Sequence, residues 1–183
     1  ISEGGILENK GMVDVVSCMT PDEKQIPYDI RKGVWVVFEA DTEYLKNCFE
    51  EYKVVTDPSG KYMSLYKRWH LIGLELAISI ASIGIRKEAT GASTYFNADC
   101  IAIAKRNLKI GEVLDGEGGY TVYGKLFPAR TSLQQQGFPI GLAHGALLKH
   151  SVKAGQVVSW SAIEKAVASE ALDFRLLLES TFS

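Results

Sequence analysis

Residues 102–114, AIAKRNLKIGEVL, recur as residues 146–158, ALLKHSVKAGQVV, at a constant offset of 44 positions that aligns Gly111 with Gly155. In each copy an apolar run leads into polar residues, a Lys-x-Gly turn and a second apolar pair. Glycine reaches positive φ without a Cβ clash, as a reversal of the backbone can require. We therefore expect Gly111 and Gly155 to be structural, and the two copies to pack together as halves of a small pseudo-symmetric β structure.

The same segment contains the richest glycine cluster of the chain, GEVLDGEGGYTVYG at residues 111–124, for which a phosphate-binding loop is an alternative. A dinucleotide fingerprint has G-x-G-x-x-G between a strand and a helix, with an acidic residue about 20 positions later. Here the spacing differs, and a strand-like run follows, so a pyrophosphate would lack a helix N-terminus. Asp115 and Glu117 would also repel it. The cluster is interpreted as a turn within the β structure.

Composition limits the function classes. The chain has 183 residues, enough for one large or two small domains, and it is 46% hydrophobic and 23% charged, as in soluble globular proteins. Its formal net charge of -2 gives no attraction to nucleic acid or to an anionic membrane surface. The three widely spaced cysteines predict no zinc site and no disulfide framework. We expect reduced thiols in a cytoplasmic protein without a signal peptide. Because the chain starts at Ile1, we also expect a piece of a longer protein.

The first part of the chain, residues 1–92, predicts a mixed α/β lobe. Residues 33–38 and 62–66 are typical of strands, and an amphipathic helix with Asp41 as its N-cap is expected between them. Residues 71–85 are apolar on almost every side. This run is shorter than the roughly 20 residues that span a bilayer, and it contains Glu75. It is predicted to be a buried helix of the core.

Residues 93–183 predict a small β domain with a C-terminal helix, after a boundary near Gly91. Ser161-Ala-Ile-Glu164 has the residue pattern of a capping box, which predicts a helix from that point through Leu178. The fold class is therefore predicted to be α+β.

The best constellation for chemistry is Lys67, Arg68 and His70, followed by Glu75. Arginine offers a planar fork for phosphate or carboxylate oxygens, and histidine titrates near neutral pH. Glu75 lies among apolar residues and needs a partner or a subunit contact. If the helix begins near His70, the side chains of His70 and Glu75 lie on different faces of that helix. The alternative is a solvated turn with a structural histidine, and Trp69 is interpreted as packing.

The repeated Lys-x-Gly unit resembles the SAF domain, the β-clip module of antifreeze-like and sialate-synthase C-terminal domains, over about residues 99–164. A second resemblance depends on SLYKRWHLIGLELAISIA, GEVLDGEGGYTVYG and PIGLAHGALLKHSVKAGQVVSWSAIE. Together these are similar to the C-terminal half of homoserine-dehydrogenase-like NAD(P) oxidoreductases, including deoxyxylulose-phosphate-reductoisomerase-like proteins. Such proteins have a Rossmann domain, a central catalytic and oligomerisation domain and a C-terminal SAF domain.

That resemblance implies an incomplete central lobe at residues 1–92 and a β-clip domain with a C-terminal helix at residues 93–183. It implies NAD(P) bound outside this chain, no cofactor or metal within it, a homo-oligomer, and inactivity of the chain alone. The substrate would be a small anion, with phosphate as one candidate group. His70 would be catalytic, and Arg68, Lys67 and Glu75 would bind substrate.

Two other functions stay open from the sequence. One is a non-catalytic SAF module that binds a sugar acid or a protein partner. The other is an assembly platform, in which the apolar helix at residues 71–85 and the strand at 33–38 form a subunit interface. No nucleic acid or membrane partner is expected.

Overall fold

The computed structural model describes residues 7, 9–16, 19, 20, 22, 24, 26, 32–69, 71–92 and 94–182. They form two compact units, one mainly within residues 16–92 and one built from residues 9–15 and 94–182. The short segment at residues 9–15 thus belongs to the same unit as the C-terminal part. The structure has helices and small antiparallel sheets, so the α+β prediction is confirmed.

The first unit contains an antiparallel pair, β1 (Val34–Glu39) and β2 (Tyr62–Lys67), with helix α1 (Glu43–Glu51) between them in sequence. Both strand predictions are confirmed. The N-cap of α1 is Thr42, one residue after the predicted Asp41, and its hydroxyl accepts a hydrogen bond from the Leu45 amide at 3.2 Å. A threonine hydroxyl satisfies one of the unpaired amides of a first helical turn.

Helix α2 (Ile72–Ala81) follows and continues as a π-helical turn, Ser82–Arg86. The predicted helix is present, but the prediction that it is buried is wrong for the described chain. Its aliphatic side chains face solvent, with Ile78 75% exposed and Ile85 81% exposed. Ala40 is the one buried hydrophobic residue among those described in this unit. A two-stranded sheet therefore gives α2 no core in which to bury its apolar sides.

The second unit carries the hydrophobic core. Strands β3 (Ala98–Ala104) and β4 (Val122–Pro128) form one antiparallel pair, and β5 (Leu147–Leu148) and β6 (Ile163–Lys165) form another. Helix α3 (Ala129–Gln134) follows β4, two 3₁₀ turns cover Ile140–Leu142 and Trp160–Ala162, and α4 (Glu170–Phe182) ends the chain. The core includes Ala102, Leu108, Leu114, Phe138, Leu148 and Val158.

The two sequence repeats pack about a local pseudo-two-fold axis, as predicted. The amide of Gly111 donates to the Leu148 carbonyl at 2.8 Å, and the equivalent amide of Gly155 donates to the Ala104 carbonyl at 2.8 Å. Both glycines have φ of +77°, and nothing lies within 4 Å of the Cβ position of either. The backbone conformation alone therefore favours glycine at both turns.

Further hydrogen bonds obey the same symmetry. The Leu114 amide donates to the Ala146 carbonyl at 2.8 Å, and its equivalent, the Val158 amide, donates to the Ala102 carbonyl at 2.9 Å. Leu108 and Val152 are equivalent to each other and exchange both of their backbone hydrogen bonds, at 2.8 and 3.1 Å. A residue pair that maps onto itself marks the axis.

The predicted helix start at Ser161 is wrong. Residues 160–162 form a 3₁₀ turn, and Ile163 then pairs with Leu148 in the sheet. Helix α4 begins at Glu170, where the Ser169 hydroxyl accepts a hydrogen bond from the Leu172 amide at 3.2 Å. Burial of Ile163 against the core outweighs the local capping preference, which is worth about 1 kcal/mol.

Candidate functional site

The end of β2 brings together part of the predicted constellation. Lys67 is the last residue of β2, and its ammonium group forms an ion pair with the carboxylate of Glu75 on α2. This contact supplies the partner that Glu75 requires, since its side chain is 29% exposed. The pair connects the strand to the helix, and each charge offsets the other.

Arg68 directly follows the strand and is exposed. Its guanidinium carbon lies 4.7 Å from the centroid of the Trp69 indole ring, a cation–π contact. A guanidinium held by its face keeps the in-plane N–H groups available for oxygen acceptors. Trp69 thus orients Arg68, a role that sequence reasoning missed although the two residues are adjacent.

His70 lies outside the described residues, so its catalytic role stays a prediction. On the helix side of the site, Glu75, Ser79 and Ser82 are half-buried, whereas the aliphatic side chains around them are exposed. The polar side of α2 therefore faces its own unit. Because the polar side of α2 faces its own unit and the aliphatic side chains face solvent, Glu75 can reach Lys67.

The glycine cluster does not form a phosphate loop. Asp115 accepts hydrogen bonds from the amides of Tyr120 and Thr121, at 2.5 and 3.0 Å, and from the Thr121 hydroxyl. Gly116 and Gly118 have φ of +80° and +77°, and the segment continues into β4 rather than into a helix. The carboxylate of Asp115 occupies the amides that a phosphate would use. A dinucleotide does not fit here.

Hydrogen bonding also controls the ionisation of Asp115. Desolvation raises its pKa, but the hydrogen bonds from the Thr121 hydroxyl and from the amides of Tyr120 and Thr121 outweigh it and lower the pKa to about 2. His144 is a further neighbour, since its Nδ1 lies 3.1 Å from the Asp115 carbonyl oxygen. An anionic side chain at the centre of the turn is the opposite of what an anion-binding loop requires.

The strongest polar network lies in the second unit, and the sequence analysis missed it. Arg175 on α4 makes two parallel hydrogen bonds to Asp99 on β3, at 2.8 and 2.6 Å, and a third to Glu179 at 2.6 Å. Ser132 also donates to Asp99, and the Trp160 indole donates to Glu179 at 2.9 Å. The Arg175 and Asp99 side chains are only 11% and 6% exposed. The network has its charges paired and attaches α4 to the sheet.

Neither a metal-binding cluster nor a membrane-spanning helix is present among the residues that the structure describes. No group of three or more histidine, cysteine, aspartate or glutamate side chains within them could hold a metal ion. Across the same residues, every helix is too short or too polar to cross a membrane.

Comparison with known proteins gives a family match for the first part of the chain. Residues 1–76 match the model of the catalytic domain of oxidoreductase DRL. No curated protein matches the chain. Among solved structures, the flagellar protein FlgA from Thermotoga maritima is 12% identical and has a TM-score of 0.31, with 83% of this chain and 75% of that chain covered. That similarity is too low to carry an argument. The first 76 residues are thus similar to an oxidoreductase catalytic domain, and they include Lys67, Arg68, His70 and Glu75.

Proposed function

We propose that this chain is part of an NAD(P)-dependent oxidoreductase of the homoserine-dehydrogenase-like type that acts on a small anionic substrate. The observation that carries the proposal is the match of residues 1–76 to an oxidoreductase catalytic domain, since that region contains every predicted site residue. The exposed guanidinium of Arg68, stacked on Trp69, is the group best suited to bind the anion. A phosphate or a carboxylate would accept its two parallel N–H groups.

The other site residues have supporting roles in this proposal. Glu75 pairs with Lys67 and fixes the position of the Lys67 ammonium group. Lys67 directly precedes Arg68 in the sequence. Glu75 itself would repel an anion, so its proposed role is positioning Lys67 rather than direct substrate contact. His70 is proposed to donate or accept a proton at the substrate, because an imidazole changes charge near neutral pH.

The proposed cofactor is NAD(P), held by residues outside these 183. Nicotinamide supplies or accepts the hydride in such a reaction. The turn at residues 115–121 does not fit a dinucleotide, because Asp115 occupies the amides of Tyr120 and Thr121. In this proposal the present chain supplies anion binding and a proton-transfer group, and it is inactive alone. A cytoplasmic location is also proposed, consistent with the free thiols of Cys48 and Cys100.

The anion site can be tested by calorimetric titration of the 183-residue chain with glycerol 3-phosphate and with succinate, using glycerol as the uncharged reference. We expect one of the two anions to bind and Arg68→Gln to weaken that binding about tenfold or more, since each hydrogen bond to a charged group contributes about 1.5–3 kcal/mol. Arg86→Gln is the matched control, because Arg86 is an exposed arginine of the same unit that pairs with Glu88. Binding that is equal in the Arg68 variant, or absent for both anions, rejects this site.

A non-catalytic SAF module that binds a sugar acid or a protein partner is the second candidate. The pseudo-symmetric packing of the two repeats, with Gly111 and Gly155 in equivalent turns, favours it. A titration with N-acetylneuraminate separates the two candidates. Binding that persists in Arg68→Gln supports the SAF module, whereas no binding leaves the oxidoreductase as the better proposal.

We propose further that a second copy of the chain covers α2. Eight large aliphatic side chains between residues 71 and 85 are each at least 50% exposed, and together they present on the order of 500 Å² of apolar surface. A standard interface buries about 800 Å² per partner, so this patch could form the apolar centre of one. The segment's one ionisable residue, Glu75, pairs with Lys67 of its own unit. Two copies of α2 would therefore meet without like charges opposed, as a two-fold interface requires.

Sedimentation tests this interface. We expect the chain to associate at micromolar concentration and Ile78→Glu to shift it to monomer, because a buried unpaired carboxylate is costly. Val55→Glu is the control, since Val55 is 85% exposed and lies outside α2. A wild-type chain that stays monomeric at 100 μM contradicts the proposal and indicates that another segment or protein covers α2.

A further inference from the structure

The two repeats share five identical positions among the thirteen aligned, and three have a structural explanation. The alanines at the start are fully buried, the glycines need positive φ, and the valines make equivalent backbone bridges. The remaining two positions are lysines that are exposed in both copies. The identical pairs are Ala102 and Ala146, Lys105 and Lys149, Lys109 and Lys153, Gly111 and Gly155, and Val113 and Val157.

Backbone hydrogen bonds place these lysines in two groups. The bond from Gly111 to Leu148 sets the turn that contains Lys109 beside the backbone of Lys149. By the pseudo-symmetry, the bond from Gly155 to Ala104 sets the turn of Lys153 beside Lys105. One lysine pair therefore lies on each side of the pseudo-two-fold axis.

The four lysines lie on an exposed surface of the second unit. Leu108 and Val152 on the axis are buried, and the residues that flank them in sequence are exposed. Arginine and histidine occupy the next equivalent positions, at Arg106 and His150. The structure thus gathers basic groups from two segments that are 44 positions apart.

Charge is unevenly distributed around this lysine surface, which we define as Lys105, Lys109, Lys149 and Lys153. The two repeats contain five of the nine lysine and arginine residues of residues 93–183 but a single acidic residue, Glu112. That carboxylate pairs with Arg106. Among the described residues, no ion pair or side-chain hydrogen bond engages the ammonium groups of Lys149 and Lys153, whereas Lys105 donates to the Gly119 carbonyl. The surface therefore carries net positive charge in a chain whose net charge is -2.

We propose that the lysine surface binds a ligand with at least two phosphate groups, one held by each lysine pair. Lysine binds phosphate as a point charge, whereas a carboxylate is better matched by the arginine fork. The arginine present here, Arg106, already holds Glu112. The arrangement of two equivalent pairs matches two anionic groups better than one. The site lies in the second unit and does not depend on the proposed role of Arg68.

Titration with inorganic tripolyphosphate and with orthophosphate at low ionic strength tests this site. We expect tripolyphosphate to bind about tenfold or more tightly than orthophosphate, because in this proposal one ligand engages both lysine pairs at once. We expect Lys109→Gln with Lys153→Gln to weaken tripolyphosphate binding roughly tenfold. Added salt should weaken the binding of the wild-type chain as well.

The control removes the same charge elsewhere in the unit, by Lys125→Gln with Lys165→Gln, both exposed and outside the repeats. Equal weakening by the two double variants would show a nonspecific charge effect and overturn the proposal, as would the absence of tripolyphosphate binding. Tighter binding of a single-stranded oligonucleotide than of tripolyphosphate would assign the surface to nucleic acid instead. The titrations are carried out in the Arg68→Gln background, which removes the proposed substrate site, so this site and the substrate site can fail independently. If the double variant does not fold, Lys149→Gln and Lys153→Gln alone should each weaken binding.

Discussion

Asp99→Ala should lower the free energy of unfolding of the second unit by about 3–5 kcal/mol, because the buried Arg175 guanidinium loses two of its three hydrogen bonds to carboxylates and keeps only the one to Glu179. The Asp99 side chain is 6% exposed, and Arg175 contacts it through two hydrogen bonds of 2.8 and 2.6 Å. The loss would also release α4 from β3. Chemical denaturation followed by Trp160 fluorescence measures the change, since Trp160 packs in the core beside α4.

A second carboxylate provides the control for this experiment. Glu112 also pairs with an arginine of the same unit, but Arg106 is half exposed, so Glu112→Ala should cost less than about 1 kcal/mol. The double variant Asp99→Ala with Arg175→Met should recover part of the loss, since it also removes the buried guanidinium that Asp99 no longer neutralises. If Asp99→Ala costs no more than Glu112→Ala, the network does not hold α4 in place.

The Asp99 contribution should depend on pH in a defined direction. Burial raises the pKa of Asp99, but hydrogen bonds from Arg175 and Ser132, together with the charge of Arg175, outweigh it and hold the pKa below its ordinary value of 3.8. A carboxyl with a lowered pKa in the folded state stabilises the fold above its unfolded pKa and loses that effect as the pH falls through its folded pKa. The difference in the free energy of unfolding between wild type and Asp99→Ala should therefore be largest near neutral pH and should decrease below pH 3.8.

Phe138→Ala should cost a similar amount, about 3–5 kcal/mol, because it removes a large buried ring and leaves a cavity. Phe138 is fully buried and makes an edge-to-face contact with Trp160 at 4.7 Å between ring centroids. Its amide donates to the Val158 carbonyl and its carbonyl accepts from the Ala102 amide, each at 2.8 Å. Phe138 thus joins one strand segment of each repeat. Thermal unfolding monitored by near-ultraviolet circular dichroism measures the loss.

Phe174 supplies the matched control, since the same substitution there removes a ring that is 66% exposed. Phe174→Ala should change the free energy of unfolding by roughly 0.5 kcal/mol or less. The loss in the free energy of unfolding for Phe138→Leu should lie between those for Phe174→Ala and Phe138→Ala, because leucine refills part of the cavity. Equal effects of Phe138→Ala and Phe174→Ala would mean that the core of the second unit is not centred on Phe138.

Part of the candidate site was predictable from sequence and part was not. The sequence places Lys67 and Arg68 at the end of a strand and Glu75 on the following helix, and the structure confirms these elements. The ion pair between Lys67 and Glu75 was not predictable, because it depends on how α2 folds back on β2. The stacking of Arg68 on Trp69 depends equally on side-chain conformation.

The sequence by itself determined the repeat, its glycine turns and the strands, because these follow from local backbone geometry and from the alternation of apolar residues. Gly111 and Gly155 show this directly, since they lie in the same sequence context and have the same φ of +77°. Only the tertiary structure decided that Ile163 joins a strand rather than a helix, that α2 exposes its aliphatic side chains, and that Arg175 reaches Asp99. Each depends on packing between segments far apart in sequence, which outweighs the local preference of a single segment.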